Sequence, residues 1–312
     1  MNVAQMCAAR AESFPNKTAI VHKDLSLDFE TLHGLVERCA AGLHGRGLGK
    51  GSRISLLLEK TPELVISFIA AARLGSLVVP LNYQLRPAVL GKIISDYNID
   101  CLVVGAKFLK LLSDVPTGHK ALEKLVVCEA GADQAENLIR FEDLLDQGAD
   151  GLEQIEVDDD EPFYLNFTSG TTGIPRAAVT THANLFYNTI ASVETLGLRH
   201  NDVHLCMFPA YLHPHEIFLR GVYLGGASVL ENSLFPKSVA KAVSEHGVTC
   251  MMGAATLYER LLPFAGNPEF DYGSLRIAES GGMITRETLN RAFEAAFGVP
   301  ITPVWGSTET AG

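Results

Sequence analysis

The sequence has no CxxC pair among its six cysteines, no run of lysine and arginine, no G-x-x-x-x-G-K-[ST] string, and one tryptophan in 312 residues. Each absence removes a class of protein. Cys7, Cys39, Cys101, Cys128, Cys206 and Cys250 are scattered, and two of them sit inside the apolar runs "DCLVVG" and "HLCMF". That pattern fits buried free thiols in a reducing compartment. The net charge is −11 with no basic cluster, so nucleic acid is not an expected partner. An acidic chain that binds an anion must do so locally, with backbone N–H groups, a few cations or a metal. The N-terminus, "MNVAQMCAARAESFPNK", lacks a signal-peptide pattern. The longest apolar region, Leu64 to Leu81, contains Arg73 and Gly75 and reads as a helix followed by a strand. No membrane span is expected, and the location expected is the cytoplasm. The glycine cluster "GRGLGKG" does not fit GxGxxG and precedes a strand, so it reads as a helix stop and turn.

What is present is material for a large core. Hydrophobic residues make up 47% of the chain and charged residues 20%, which suits one large or two medium domains. Helical spacing runs over 31–43, 62–73, 86–97, 181–196, 238–246 and 286–297. Short apolar strands are expected at 52–58, 76–80, 101–105, 124–129, 162–167, 203–208, 228–230, 248–252, 275–279 and 301–305. This alternation predicts an α/β fold with two similar, mostly parallel, helix-covered sheets. Residues 130–161 are acidic and irregular and read as a connector, which divides the chain into subdomains at 1–161 and 162–312.

One loop stands out. "FTSGTTGIPRAAVTTH", Phe167 to His182, concentrates hydroxyls and glycines ahead of Arg176. Read as a turn between a strand and a helix, it lies at the carboxyl edge of the sheet, where α/β proteins bind ligands. Glycines bring successive N–H groups to one side, and these with the hydroxyls suit an anion.

"TSGTTGIPR" resembles the phosphate-binding signature of the adenylate-forming superfamily: acyl- and aryl-CoA synthetases, peptide-synthetase adenylation domains and luciferase. "VWGSTETAG" resembles that family's [YW]-G-x-T-E, and "LRIAESGGMI" its adenine-bordering segment, in the family's order. The resemblance implies that Thr168, Ser169, Gly170, Thr171, Thr172 and Gly173 hold the β- and γ-phosphates of ATP, with Arg176 adding charge. Gly281, Gly282 and Met283 would form a thin wall against adenine, and Trp305, beside Gly306 and Ser307, a flat face for it. Read as a bare sequence feature, Trp305 is a core aromatic at a strand end. Thr308 would reach the α-phosphate, and Thr171 and Glu309 would serve Mg²⁺. Tyr211, His213, Gly253 and Met283 would border a carboxylic-acid substrate. The reaction implied is activation of that acid by ATP to an acyl-adenylate, followed by thioester formation with CoA.

The sequence departs from the family in three places. Arg176 and Ala177 stand where lysine and glycine are usual, and Arg keeps the charge but not lysine's compact geometry. The acyl segment reads "FPAYLHPHEIFLR", with His213 and His215 beyond the usual histidine place; they line the substrate site or cap the next helix. Arg220 is a candidate partner for a second polar group on the substrate, but at helical spacing it reads as a surface residue. No aspartate lies between Phe208 and Arg220, which disfavours an amino acid as substrate. Finally, no ribose-binding "TGD" occurs, and the family's small C-terminal domain is absent from these residues. The expectation is an incomplete, impaired acid–CoA ligase that self-associates through uncovered apolar surface. The alternatives are a catalytically weak nucleotide- or acyl-adenylate-binding protein, or amino-acid adenylation for a carrier protein.

Overall fold

In the computed structural model, the described residues are 1–115, 118, 120–129, 138–146, 148, 152–168 and 176–311. The chain opens with α1 (Val3–Ser13), capped by a reciprocal pair between Asn2 and Gln5. A hairpin follows, β1 (Thr18–His22) and β2 (Leu25–Asp28), and Asp28 caps α2 (Phe29–His44). Then come β3 (Arg53–Leu57), α3 (Pro62–Arg73), β4 (Leu77–Pro80), α4 (Pro87–Asp96) and β5 (Cys101–Gly105). Beyond them lie α5 (Leu109–Ser113), β6 (Leu125–Cys128), β7 (Ile139–Arg140) and α6 (Phe141–Leu145).

The second half starts with β8 (Pro162–Thr168), β9 (Arg176–Thr181) and α7 (His182–Leu196). It continues through β10 (Val203–Cys206), α8 (Pro214–Leu224), β11 (Ala227–Val229), α9 (Pro236–His246) and β12 (Cys250–Gly253). It ends with α10 (Ala255–Leu261), β13 (Ile277–Ser280), α11 (Glu287–Phe297) and β14 (Ile301–Pro303).

Two seven-stranded sheets form, in the orders β7-β6-β5-β3-β4-β8-β9 and β14-β13-β12-β10-β11-β1-β2. The orders correspond strand for strand. Each sheet is parallel except for its last pair, β8–β9 or β1–β2, which is antiparallel. The expected pair of mostly parallel, helix-covered sheets is present. The sheets do not follow the division at residue 161, however. The N-terminal hairpin completes the sheet of the second half, and β8–β9 completes the sheet of the first.

Burial on both faces explains why the strands read as apolar runs. Along β3, Leu56 faces the large core between the sheets, whereas Leu57 faces the core under α4. Leu205 and Cys206 divide the same way across β10. α3 lies in the middle and is buried on nearly every side. Its Phe68 meets Phe163, Tyr164 and Phe218 edge-on at 5.0–5.9 Å, which ties β8 to α8. Leu64 to Leu81 is thus a buried helix and strand, and no helix among the described residues is long and apolar enough to cross a membrane. All six cysteines are buried and free.

Three readings are corrected here. The connector expected over 130–161 contains β7 and α6, because Phe141 and Leu144 bury against α2. The loop after β8 leads into an antiparallel strand and not directly into a helix. The first residues of the chain, given no element by the sequence, form α1, β1 and β2.

Candidate active site

Within each sheet the parallel strands end together, and residues at or just past the ends of β3, β10 and β11 meet along one seam between the two sheets. Lys60, just past β3, closes part of it. Its N–H donates to Asn232 Oδ1 at 2.9 Å, Asn232 Nδ2 donates back to the Lys60 carbonyl at 3.0 Å, and Lys60 Nζ donates to the Cys206 carbonyl at 3.1 Å. Burial lowers the pKa of this ammonium, against the opposing pull of nearby acids. Further along, Tyr164 Oη donates to the Leu212 carbonyl at 3.1 Å. Asn166 Nδ2 donates to His213 Nδ1 at 3.0 Å, leaving the histidine proton on Nε2. Tyr211 meets Tyr83 edge-on at 4.9 Å, and Tyr83 stacks on Phe108 at 4.8 Å. Aromatic rings from both halves therefore line one stretch of the seam.

Gly281 and Gly282, expected at the adenine wall, lie just past β13, and Gly253, expected to border the acid, ends β12. The Gly281 N–H donates to the Gly253 carbonyl at 3.2 Å. A Cβ on Gly281 would lie 3.2 Å from Val304 Cγ2 and 3.6 Å from the Phe208 ring. Gly282 has φ +77°, a conformation that favours glycine. Met283 is 49% exposed and Trp305 82% exposed, so Trp305 is not a core aromatic.

Thr168 ends β8 and stands opposite Arg176, the first residue of β9; Thr168 Oγ1 donates to the Arg176 carbonyl at 3.2 Å. Ser169, Gly170, Thr171, Thr172 and Gly173, expected at the phosphates, lie outside the described residues. Gly306 and Ser307 lead into a short 3₁₀ turn, Thr308–Thr310, which packs against both β8 and β9. Thr310 closes the turn by accepting from the Ser307 N–H at 3.0 Å through Oγ1. Glu309 borders a cleft of about 360 Å³ with Thr180, Asn184 and Asn188. Its exposed carboxylate has no hydrogen bond or ion pair among the described residues, which suits a hard cation shared with phosphate oxygens.

Neither histidine caps α8 through a side-chain hydrogen bond. His213 occupies the N-cap position of α8 without capping it, and burial lowers its pKa despite Glu216. His215 is buried, and its Nε2 lies 2.8 Å from the Ala311 carbonyl. Arg220 is not a surface residue; it is 8% exposed. α8 lies between the sheets, so Arg220 points inward. It meets Glu216 at 3.0 Å and both carboxylate oxygens of Glu279 at 2.8 Å. Burial raises the Glu279 pKa beyond what Arg220 offsets. Burial also acts on Glu216, but Arg220 and the two histidines outweigh it and hold that carboxyl low. Two carboxylates share one guanidinium, and Glu279 is the less well compensated.

Asn166, Tyr83, Glu216 and Glu279 were not singled out by the sequence reading. A polar residue inside an apolar strand was the available signal: Asn166 in "FYLNF" and Glu279 in "RIAES".

These features belong to a known family. A family model described as AMP-binding enzyme matches residues 7–312, and the chain belongs to that family. Among its relatives, a 3-hydroxybenzoate–CoA/4-hydroxybenzoate–CoA ligase of Thauera aromatica is 27% identical over 317 residues, covering 99% of this chain and 60% of that protein. An indoleacetate–CoA ligase of Aromatoleum aromaticum is also 27% identical, over 316 residues, with the same coverage. An anthranilate CoA ligase, solved in complex with anthranoyl-AMP, superposes with a TM-score of 0.93 at 26% identity, covering 100% of this chain and 61% of that one. The chain spans about 60% of the length of the relatives it matches.

Proposed function

We propose that the chain carries the nucleotide- and acid-binding part of an AMP-forming acid–CoA ligase, and that the acid is aromatic. In the reaction, a carboxylate oxygen bonds to the α-phosphorus of ATP and the bond to the bridging oxygen breaks, releasing pyrophosphate. The CoA thiol, losing its proton, then attacks the acyl carbonyl and AMP leaves. Charge neutralisation and alignment supply most of the acceleration such a step needs.

One observation carries this reading. The Thr308–Thr310 turn packs on both strands that flank the phosphate loop, so segments more than a hundred residues apart meet there, which supports the reading. Thr168 and Arg176 hold the ends of that loop. Gly281 and Gly282, backed by Phe208, give adenine a wall with no side chain in the way. Glu309 would hold Mg²⁺, which neutralises phosphate charge when bound. Tyr83, Phe108, Phe208 and Tyr211 favour a flat, aromatic acid, in line with the hydroxybenzoate and indoleacetate ligases among the relatives.

The test is binding of MgATP together with acid-dependent pyrophosphate exchange over a panel of benzoate, cinnamate and straight-chain acids. Exchange that favours aromatic acids and is lost in Glu309→Gln is expected. Exchange with straight-chain acids alone would reject the aromatic assignment, and failure to bind MgATP would reject the activity.

A further inference from the structure

The first turns of α8 hold a buried polar chain that the reaction above does not use. A carbonyl only accepts, so the 2.8 Å contact between His215 Nε2 and the Ala311 oxygen places the proton on Nε2. His215 Nδ1 is buried without a hydrogen-bond partner, and the ring lies edge-on to Tyr164 at 5.7 Å. Burial pushes the His215 pKa down to about 4 against the pull of Glu216, so the neutral ring persists through the neutral range. Ala311 is 3% exposed and has φ +63°, a region that residues with a side chain seldom adopt. One turn along α8, Arg220 grips Glu279, which directly precedes Ser280, Gly281 and Gly282. A single helix thus ties down both the turn after β13 and the end of the Thr308–Thr310 turn.

We propose that His215 is a positioning residue: its Nε2–H···O=C bond to Ala311 fixes the Thr308–Thr310 turn, and with it the Glu309 carboxylate, against β8 and β9. The inference rests on the reading of Thr308 and Glu309 as nucleotide-facing. The 3₁₀ turn follows the edge strand β14 and has no sheet partner of its own. Its backbone is anchored at the far end by this side chain. Removing the donor leaves Ala311 in a strained conformation with its carbonyl uncompensated, and the turn loses its fixed place.

The experiment compares His215→Leu, which lacks a donor, with His215→Gln, whose amide nitrogen reaches the place of Nε2. MgATP and adenosine are titrated calorimetrically into each folded variant. Leucine is expected to weaken MgATP about tenfold, the effect of one lost hydrogen bond. Adenosine, which has no phosphate to meet Glu309 through a cation, should change less than about twofold, and glutamine should restore most of the MgATP affinity. His215→Asn, whose amide is too short to reach Ala311, gives the same comparison should the leucine variant not fold. Unchanged MgATP affinity in the donor-less variant would overturn the inference. So would equal weakening of both ligands, or a glutamine variant as weak as leucine. If the wild-type chain binds MgATP and Glu309→Gln weakens it while His215→Leu does not, this inference alone fails. If the wild-type chain does not bind MgATP, or Glu309→Gln binds it unchanged, the nucleotide reading fails and takes the inference with it.

Discussion

Replacing Arg220 by methionine isolates the energetics of the buried ionic cluster. The substitution keeps much of the side-chain volume but removes the guanidinium from two carboxylates, 2.8 Å away at Glu279 and 3.0 Å at Glu216. Breaking a buried pair costs about 3–5 kcal/mol, because a charge is left without a partner in low dielectric. At pH 7 the loss is therefore expected near the middle of that range, about 4 kcal/mol. Without Arg220, both carboxyl pKa values rise above their unfolded value. The folded state then binds more protons than the unfolded one, and the penalty shrinks as pH falls toward 5. Adding Glu279→Gln removes one uncompensated charge and should recover at least about 1 kcal/mol. Urea unfolding followed by far-ultraviolet circular dichroism measures this; Trp305 is too exposed in the fold to report unfolding well. A loss below about 1 kcal/mol, or a loss independent of pH and of the second substitution, would refute the reasoning.

Further outcomes follow from burial and packing. Burial lowers the pKa of His182, His204 and His215 to about 4, against 6.5 in the unfolded chain. The unfolded state thus binds more protons below pH 6.5, and stability should fall by up to about 1.4 kcal/mol per pH unit for each histidine between pH 6.5 and 4. A flat urea midpoint across that window would contradict it. A Cβ at Gly42 would stand 2.5 Å from the Leu144 carbonyl oxygen, where α2 passes α6. Gly42→Ala should therefore cost about 1–3 kcal/mol in the same unfolding assay, although alanine is the better helix former. Burial pushes the thiols of Cys7, Cys39, Cys101 and Cys250 up to about 12, so a thiol reagent should label them only after unfolding. Rapid labelling of the native chain would show that these sites open.

Long apolar elements were legible in the sequence. α3 and β5 begin and end where periodicity placed them, because both are buried on nearly all sides and bounded by proline or glycine. The short edge elements were not. β2 is largely exposed and β9 half-exposed, so neither carries the apolar run that marks a buried strand. Which sheet takes which hairpin is a matter of tertiary packing, and no local pattern records that β1 pairs with β11 two hundred residues away. Arg220 shows the same limit. Glu216 and Arg220 at i and i+4 look like a surface pair on any helix, and only the position of α8 between two sheets makes them a buried one. The phosphate loop and the adenine segment were recognisable by their motifs; Asn166 and His215 lie outside them, and Glu279, though inside "LRIAESGGMI", is given no role by that motif.

The most direct measurement is calorimetric titration of this chain with MgATP and with a non-hydrolysable aroyl-adenylate, in which a sulfamate replaces the phosphate. The account predicts one saturable site for each ligand. MgATP should weaken at least tenfold in Glu309→Gln, with a smaller loss for the sulfamate, which offers no polyphosphate for a cation to bridge. A correctly folded chain that binds neither ligand at millimolar concentration would contradict it.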